Sequence, residues 1–334
     1  MSSIFNQCEP WEANFPPTAT ESDILSCFRL LLGRKPGRAE WPAHVWRVGE
    51  DLTVLVSSYL NSQEFANRHL VGRQLGQWEL VELPNFKLYA SAEDSIGKVI
   101  IQAHNYEPHV SKMFFEYLRP GVGVLDIGAN IGYFSLLAAS LVGPSGFVQS
   151  WEPSSSNVKM LYASQLASKF GNIEIVQAAA TDKPELLRYF RNSSNGNVAG
   201  VENTNPEEML SAETVMGLPI DDFVPPDAQI SFVKIDVEGH EFKALSGALK
   251  TLERNKPVVV SEFCPASLQQ ASGVSGREYL EFFVRLGYDF FVITENGPIA
   301  GSINDVLDRY ERSGTDHIDL LLRPLDPLQN QVLV

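Results

Sequence analysis

Between Val122 and Ser135 the chain reads V-G-V-L-D-I-G-A-N-I-G-Y-F-S. A β-branched apolar run ends in Asp126, Gly128 and Gly132 bracket a tight turn, and Tyr133-Phe134-Ser135-Leu136-Leu137 opens a helix. Strand, glycine turn and helix form the opening unit of a doubly wound α/β sheet, whose ligand site lies above the strand's carboxyl end. Glycine suits the turn because it accepts positive φ and lets a ligand approach the backbone.

The spacing is D-x-G-x-x-x-G, not the G-x-G-x-x-G of a dinucleotide site. An acid at the strand end is a poor neighbour for a pyrophosphate and a good one for a cation. S-adenosylmethionine, with its sulfonium, ammonium, carboxylate and adenosine, meets that requirement. Glu152 ends the next strand, Phe147 to Trp151, where an acid can accept hydrogen bonds from both ribose hydroxyls. After a helix from about Asn157 to Phe170 and a strand at Ile173 to Val176, the small residues around Ala179 leave room for adenine, with a backbone amide or Asp182 placed to read its edge. The expected donor pocket is Asp126, Gly128, Asn130, Gly132, Tyr133, Glu152, Ala179 and Asp236. The alternative is a plain α/β turn with two surface acids.

V-L-D-I-G-A-N-I-G-Y-F-S, then W-E-P, then V-K-I-D-V-E-G-H-E-F with A-L-S-G-A behind it, resembles the FkbM family of S-adenosylmethionine-dependent methyltransferases. The similarity runs from about Tyr106 to Arg323. It implies a Rossmann-like class I methyltransferase sheet, transfer to a hydroxyl of a sugar, glycan or secondary metabolite, and a place for Glu107 near the donor's methionine end. A helix N-terminal acid is the alternative for Glu107.

The 334 residues suffice for one large domain and a smaller one. A formal charge of -15 disfavours nucleic acid and anionic membrane as partners. No apolar run is long enough for a membrane span, and the first residues have no signal-peptide pattern. Three widely spaced cysteines, Cys8, Cys27 and Cys264, point away from disulfides and structural zinc and toward a cytoplasmic setting.

The expected order is an arm at 1–20, a helical accessory domain at 21–75 and the methyltransferase domain at 76–334. Ile24, Leu25, Phe28, Leu31 and Leu32 recur at helical spacing, and further helices are expected near Trp41 and over Leu52 to Leu60. L-L-G-R-x-P and Y-L-x-S-x-E-F resemble a small helical domain attached to carbohydrate-modifying enzymes. It is read as a packing or homodimerisation module, or as one that recruits substrate, and Arg34, Lys35 and Arg38 as a solvated turn. Trp78 to Tyr89 reads as a hairpin and Val110 to Leu118 as a helix. Asn192 to Glu213 reads as a loop that closes over the acceptor. The sheet is expected to have seven strands, the last antiparallel, with the closing pair a hairpin at one edge.

The fourth strand, Ile230 to Ile235, runs into Asp236, Glu238, His240 and Glu241, before a helix from Glu241 to Leu252. The fifth ends in Glu262. Three readings compete for this cluster. His240 is a general base whose basicity a carboxylate raises; or Asp236, Glu262 and His240 hold a divalent cation; or the acids cap a helix and bind the donor's ammonium. The base is the leading expectation, with catalytic His240, Asp236 and Glu262 and no resident metal. His104, His109 and His317 are expected at the surface or in packing. An oxidoreductase, a methyltransferase acting on carboxylate or nitrogen, and a non-catalytic nucleoside-binding scaffold are the competing functions.

Overall fold

The computed structural model describes residues 17–66, 78–192, 195–202 and 204–325. The chain divides into two compact units, Met1–Gly76 and Gln77–Val334.

The first unit is helical. Thr20 caps Glu21–Ser26 in a reciprocal pair with Asp23, and the chain then widens into a π-turn, Cys27–Leu31, with Leu32 N donating to Cys27 O at 3.2 Å. Asp51 caps Leu52–Leu60 through the amides of Thr53 and Val54. Ile24, Phe28, Leu55 and Tyr59 form the core. Arg34, expected in a solvated turn, instead clamps Glu40 and Glu64 and lies 5.0 Å over the Phe28 ring. The expected arm up to residue 16 lies outside the described residues.

The second unit begins with the expected hairpin, β1 (Trp78–Glu82) and β2 (Lys87–Ser91). Two helices follow, Ser95–Ala103 and Pro108–Tyr117. The sequence reading missed the first. Next come β3 (Gly123–Ile127), β4 (Phe147–Trp151) and β5 (Ile173–Val176), then β6 (Ala179–Ala180). β3 is buried along its whole length, as a central parallel strand must be. The helix behind it, Tyr133–Val142, is buried nearly all round. Ser154 caps the helix Ser155–Ser168.

The stretch read as a loop is structured. β7 (Glu185–Asn192) and β8 (Asn195–Gly200) form a hairpin, a short helix spans Pro206–Ser211, and β9 (Glu213–Leu218) follows. These strands make a second sheet in the order β6-β9-β7-β8. The main sheet resumes with β10 (Ile230–Ile235), β11 (Val258–Phe263), β12 (Tyr288–Val292), β13 (Ile299–Gly301) and β14 (Ile318–Pro324). The helix expected from Glu241 to Leu252 is broken into Glu241–Ser246 and Leu249–Asn255. The break has a cause: Asp221 accepts from the amides of Lys250 and Thr251 at 2.8 and 2.9 Å, capping a new helix start.

The main sheet has eight strands, in the order β13-β12-β14-β11-β10-β3-β4-β5. The extra strand over the expected seven is β13, paired with the edge of β12. β14 is antiparallel, as expected, but it does not close a hairpin at the edge. It lies between β11 and β12 and pairs with both. Two apolar clusters cover the faces, one around Val124, Phe134 and Phe232, the other around Leu125, Ile235 and Phe263.

Because β14 is interior, a chain ending before Ile318 should lose most of this unit's stability, on the order of 5–15 kcal/mol. Urea unfolding followed by circular dichroism checks this; a truncated chain with an unchanged midpoint would place β14 outside the core.

Candidate active site

β3, β4, β10 and β11 are mutually parallel, so their carboxyl ends face one crevice. A cavity of ≈ 1090 Å³, its open mouth included, lies there. At its centre is the turn after β3. Gly128 has φ 83°, and a Cβ there would fall 1.9 Å from the Asp236 carbonyl oxygen, so no other residue fits between the two strand ends. Gly132, at φ 96°, brings the following helix against Leu161. Asn130 takes the left-handed conformation without being glycine, at φ 49°, which asparagine tolerates best.

Glu152 is buried beside this turn. One carboxylate oxygen accepts from the Asn130 amide at 2.9 Å, and the other from the Ser154 amide at 2.9 Å and the Asn157 side chain at 3.3 Å. Burial pushes its carboxyl up to about 7 against these bonds. Ala178, Ala179 and Ala180 continue the wall, while Asp182 is exposed and does not line the cavity. Tyr133 also faces it and donates to Asn105 at 2.9 Å.

Asp126 is placed differently from the expectation. It is fully buried and stands behind the cavity wall, where Ser135 donates to one of its oxygens and the other has no hydrogen-bond partner among the described residues. Burial raises its carboxyl, opposed by Lys234 and Ser135. The sequence reading had passed over Lys234, although a lysine inside an apolar strand is the signal that would have found it. It stands opposite Asp126 in the β3–β10 register. Its Nζ donates to Asp236 at 3.0 Å and lies 5.2 Å from the Phe134 ring centre. Burial draws the ammonium down, but the charges of Asp236, Asp126 and Glu107 outweigh it and hold it above the ordinary lysine value. Glu107 faces the cavity from the start of Pro108–Tyr117, with φ 41° and no capping bond; burial raises its carboxyl, partly offset by Lys234.

The acid/base cluster requires a correction. His240 lines the cavity, but among the described residues no carboxylate bonds it. Burial, and then the Lys243 charge, bring its imidazole down to about 4. The expectation of a raised basicity fails because the ring is 6 % exposed and desolvation disfavours the cation. Glu241 accepts from the Val237 and Gly239 amides at 3.0 and 3.2 Å, stapling the turn; burial raises it to about 7. Glu262 is raised by burial and by the charge of Asp236. His317 also joins the cavity wall, 3.5 Å from Glu262. His109 pairs with Asp319 at 2.7 Å, and His104 is exposed at a helix end. Among the described residues no three His, Cys, Asp or Glu side chains converge as a metal site.

A buried carboxyl with a raised pKa stabilises the fold below its unfolded value and loses that contribution as pH rises through the folded value. For Glu241 the window runs from about 4.3 to about 7. Glu241→Gln keeps an acceptor for both amides and removes the titration. Between pH 5 and 8 the variant should therefore gain roughly 2–3 kcal/mol on the wild type. Urea unfolding at the two pH values checks this; a pH-independent difference would contradict it.

Residues 126–290 match the family model described as the methyltransferase FkbM domain. Among solved structures, the chain is similar to a methyltransferase FkbM from Methylobacillus flagellatus, at 15% identity and a TM-score of 0.37, over 68% of this chain and 52% of that one. It thus spans about half the length of that protein. It is also similar to a precorrin-6y C5,15-methyltransferase from Geobacter metallireducens, at 14% identity and TM-score 0.39, over 73% and 100% of the two chains. A third is fibrillarin from Aeropyrum pernix, solved with natively bound S-adenosyl-L-methionine, at 13% identity and TM-score 0.35, over 61% and 67%. No curated protein matches the sequence significantly. Residues 126–290 of this chain thus carry a methyltransferase FkbM domain.

Proposed function

We propose that this chain methylates a hydroxyl oxygen of a small polar acceptor, a sugar, glycan end or secondary metabolite, in the cavity over β3, β4, β10 and β11. The observation that carries this reading is His240, a neutral imidazole on the cavity wall. An alcohol keeps its proton near neutral pH, so transfer to oxygen needs a group that accepts the proton as the bond forms. A carboxylate acceptor needs no base, but it would enter a cavity already rich in carboxylates. The charge of -15 supports an acceptor other than nucleic acid. Among the described residues no helix is long and apolar enough to cross a membrane. The free Cys27 and Cys264 suit a reducing cytoplasm, and the helical unit is assigned to packing or self-association.

The cavity fits the donor on its own features: a glycine turn that a Cβ would fill, small alanines, and a buried carboxylate beside the turn. Bound S-adenosylmethionine supplies an electrophilic methyl group, whose bond to sulfur breaks as the bond to the acceptor oxygen forms. Glu152 would hold the ribose, with Gly128, Asn130 and Ala179 around the nucleoside. Glu107 and Asp236 would meet the ammonium. Placement of two reactants in line supplies most of the acceleration, and His240 takes the hydroxyl proton. A second reading has one observation in its favour: Glu262 reaches the half-exposed His317 at 3.5 Å, so that carboxyl could pass a proton toward solvent.

His240→Ala should leave donor affinity nearly unchanged and lower turnover by roughly 10²–10³-fold. Because the imidazole is depressed to about 4, it stays neutral well below the ordinary histidine range. The wild-type rate should be flat from about pH 6 to 8 and fall only in more acidic solution. A rate that climbs through the alkaline range would identify Glu262 as the group that must lose its proton. Normal turnover by His240→Ala would remove the imidazole from the reaction.

A further inference from the structure

Five carboxylic acids line the cavity, Glu107, Glu152, Asp236, Glu238 and Glu262, against one lysine. Lys234 is already bonded to Asp236, and Glu152 is bonded into the glycine turn. The donor brings a sulfonium and an ammonium against its own carboxylate, one net positive charge. Glu107 and Asp236 account for it. Glu238 and Glu262 remain.

These two lie close enough to Asp236 that its charge raises both carboxyls, after burial has done so. His317 offsets them only in part: its Nδ1 is shared between Asp316 at 2.9 Å and Glu262 at 3.5 Å, and its charge opposes the rise at Glu238 without cancelling it. Glu238 sits in the left-handed region at φ 53° and lines the cavity. A separate observation comes from His240. Its ring faces the same cavity while 6 % exposed, and its Nδ1 has no hydrogen-bond partner among the described residues.

Burial and the Asp236 charge hold both carboxyls above the ordinary carboxylate range, as happens when acids are crowded together without a counter-charge. A neutral polyol or an acid leaves that crowding in place, whereas a cation between the two relieves it and favours their charged form. Resting on the methyl-transfer reading above, we infer that the acceptor carries a protonated amine next to the hydroxyl that is methylated. The ammonium sits between Glu238 and Glu262 with the His240 ring beside it. The substrate class is that of amino alcohols, amino sugars included.

The test uses the full chain saturated with S-adenosylhomocysteine, near neutral pH, and two matched pairs of probes. Glucosamine is compared with glucose, and 2-aminocyclohexanol with 1,2-cyclohexanediol, by calorimetry and ligand-observed NMR. In each pair the amine should bind at least about tenfold tighter, as a charge-assisted contact does. The margin should shrink at high salt and close in Glu238→Gln/Glu262→Gln. Equal or weaker binding of the amines, or no binding of any probe while S-adenosylhomocysteine binds, overturns the inference. A margin that survives in the double variant overturns the placement between these two acids. Failure of S-adenosylhomocysteine itself to bind would instead bring down the methyl-transfer reading, and the inference with it.

Discussion

The arrangement depends on one buried cation. Lys234 projects from β10 opposite Asp126 of β3 and donates to Asp236 at 3.0 Å. Without it, Asp126, Asp236 and Glu107 would face one another across a poorly solvated space. Breaking a buried ion pair by removing one partner leaves an uncompensated charge and typically costs about 3–5 kcal/mol. Lys234 therefore sets how closely β3 and β10 can carry acids at their ends. It also leaves Asp236 half-buried at the cavity wall, with one oxygen fixed.

Around that centre the backbone is placed by close approach. Gly128 lets the turn after β3 rest on the Asp236 carbonyl, and Gly239, at φ 96°, lets the turn after β10 pack on Ser267. Glu107, Asn130 and Glu238 adopt positive φ without being glycines, and all three line the cavity. Strained residues collect where surrounding structure over-determines them, and binding sites are the usual place. Tyr189, Gly196 and Val198 of the β7–β8 hairpin supply the far wall. That side of the cavity is thus bounded by a second sheet, not by a loop.

What the sequence made legible was local. The turn after β3 and the acid at the end of β4 follow from glycine spacing and strand length, which need only a few neighbouring residues. Strand order does not, and β14 between β11 and β12 is a choice made by the whole sheet. β8 reads N-G-N-V-A-G, a composition that gives no strand signal by itself and becomes one only beside β7. His240 was legible as a residue but not in its proton affinity, because the sign of the shift comes from burial. His317 reaches the site because it immediately precedes β14, so missing the position of that strand meant missing the histidine. Lys234 is visible in V-K-I-D-V-E-G-H, but its role depends on burial opposite Asp126, which only the pairing of β3 with β10 creates.

The central claim is that Lys234 organises the acids that receive the donor. Calorimetric titration of S-adenosylhomocysteine into wild type and Lys234→Met, with Lys234→Arg as the charge-conserving control, tests it most directly. Folding of each variant is checked by thermal denaturation. The account predicts that folded Lys234→Met binds at least about tenfold more weakly, and that Lys234→Arg recovers part of the loss. A folded Lys234→Met with wild-type affinity would contradict it.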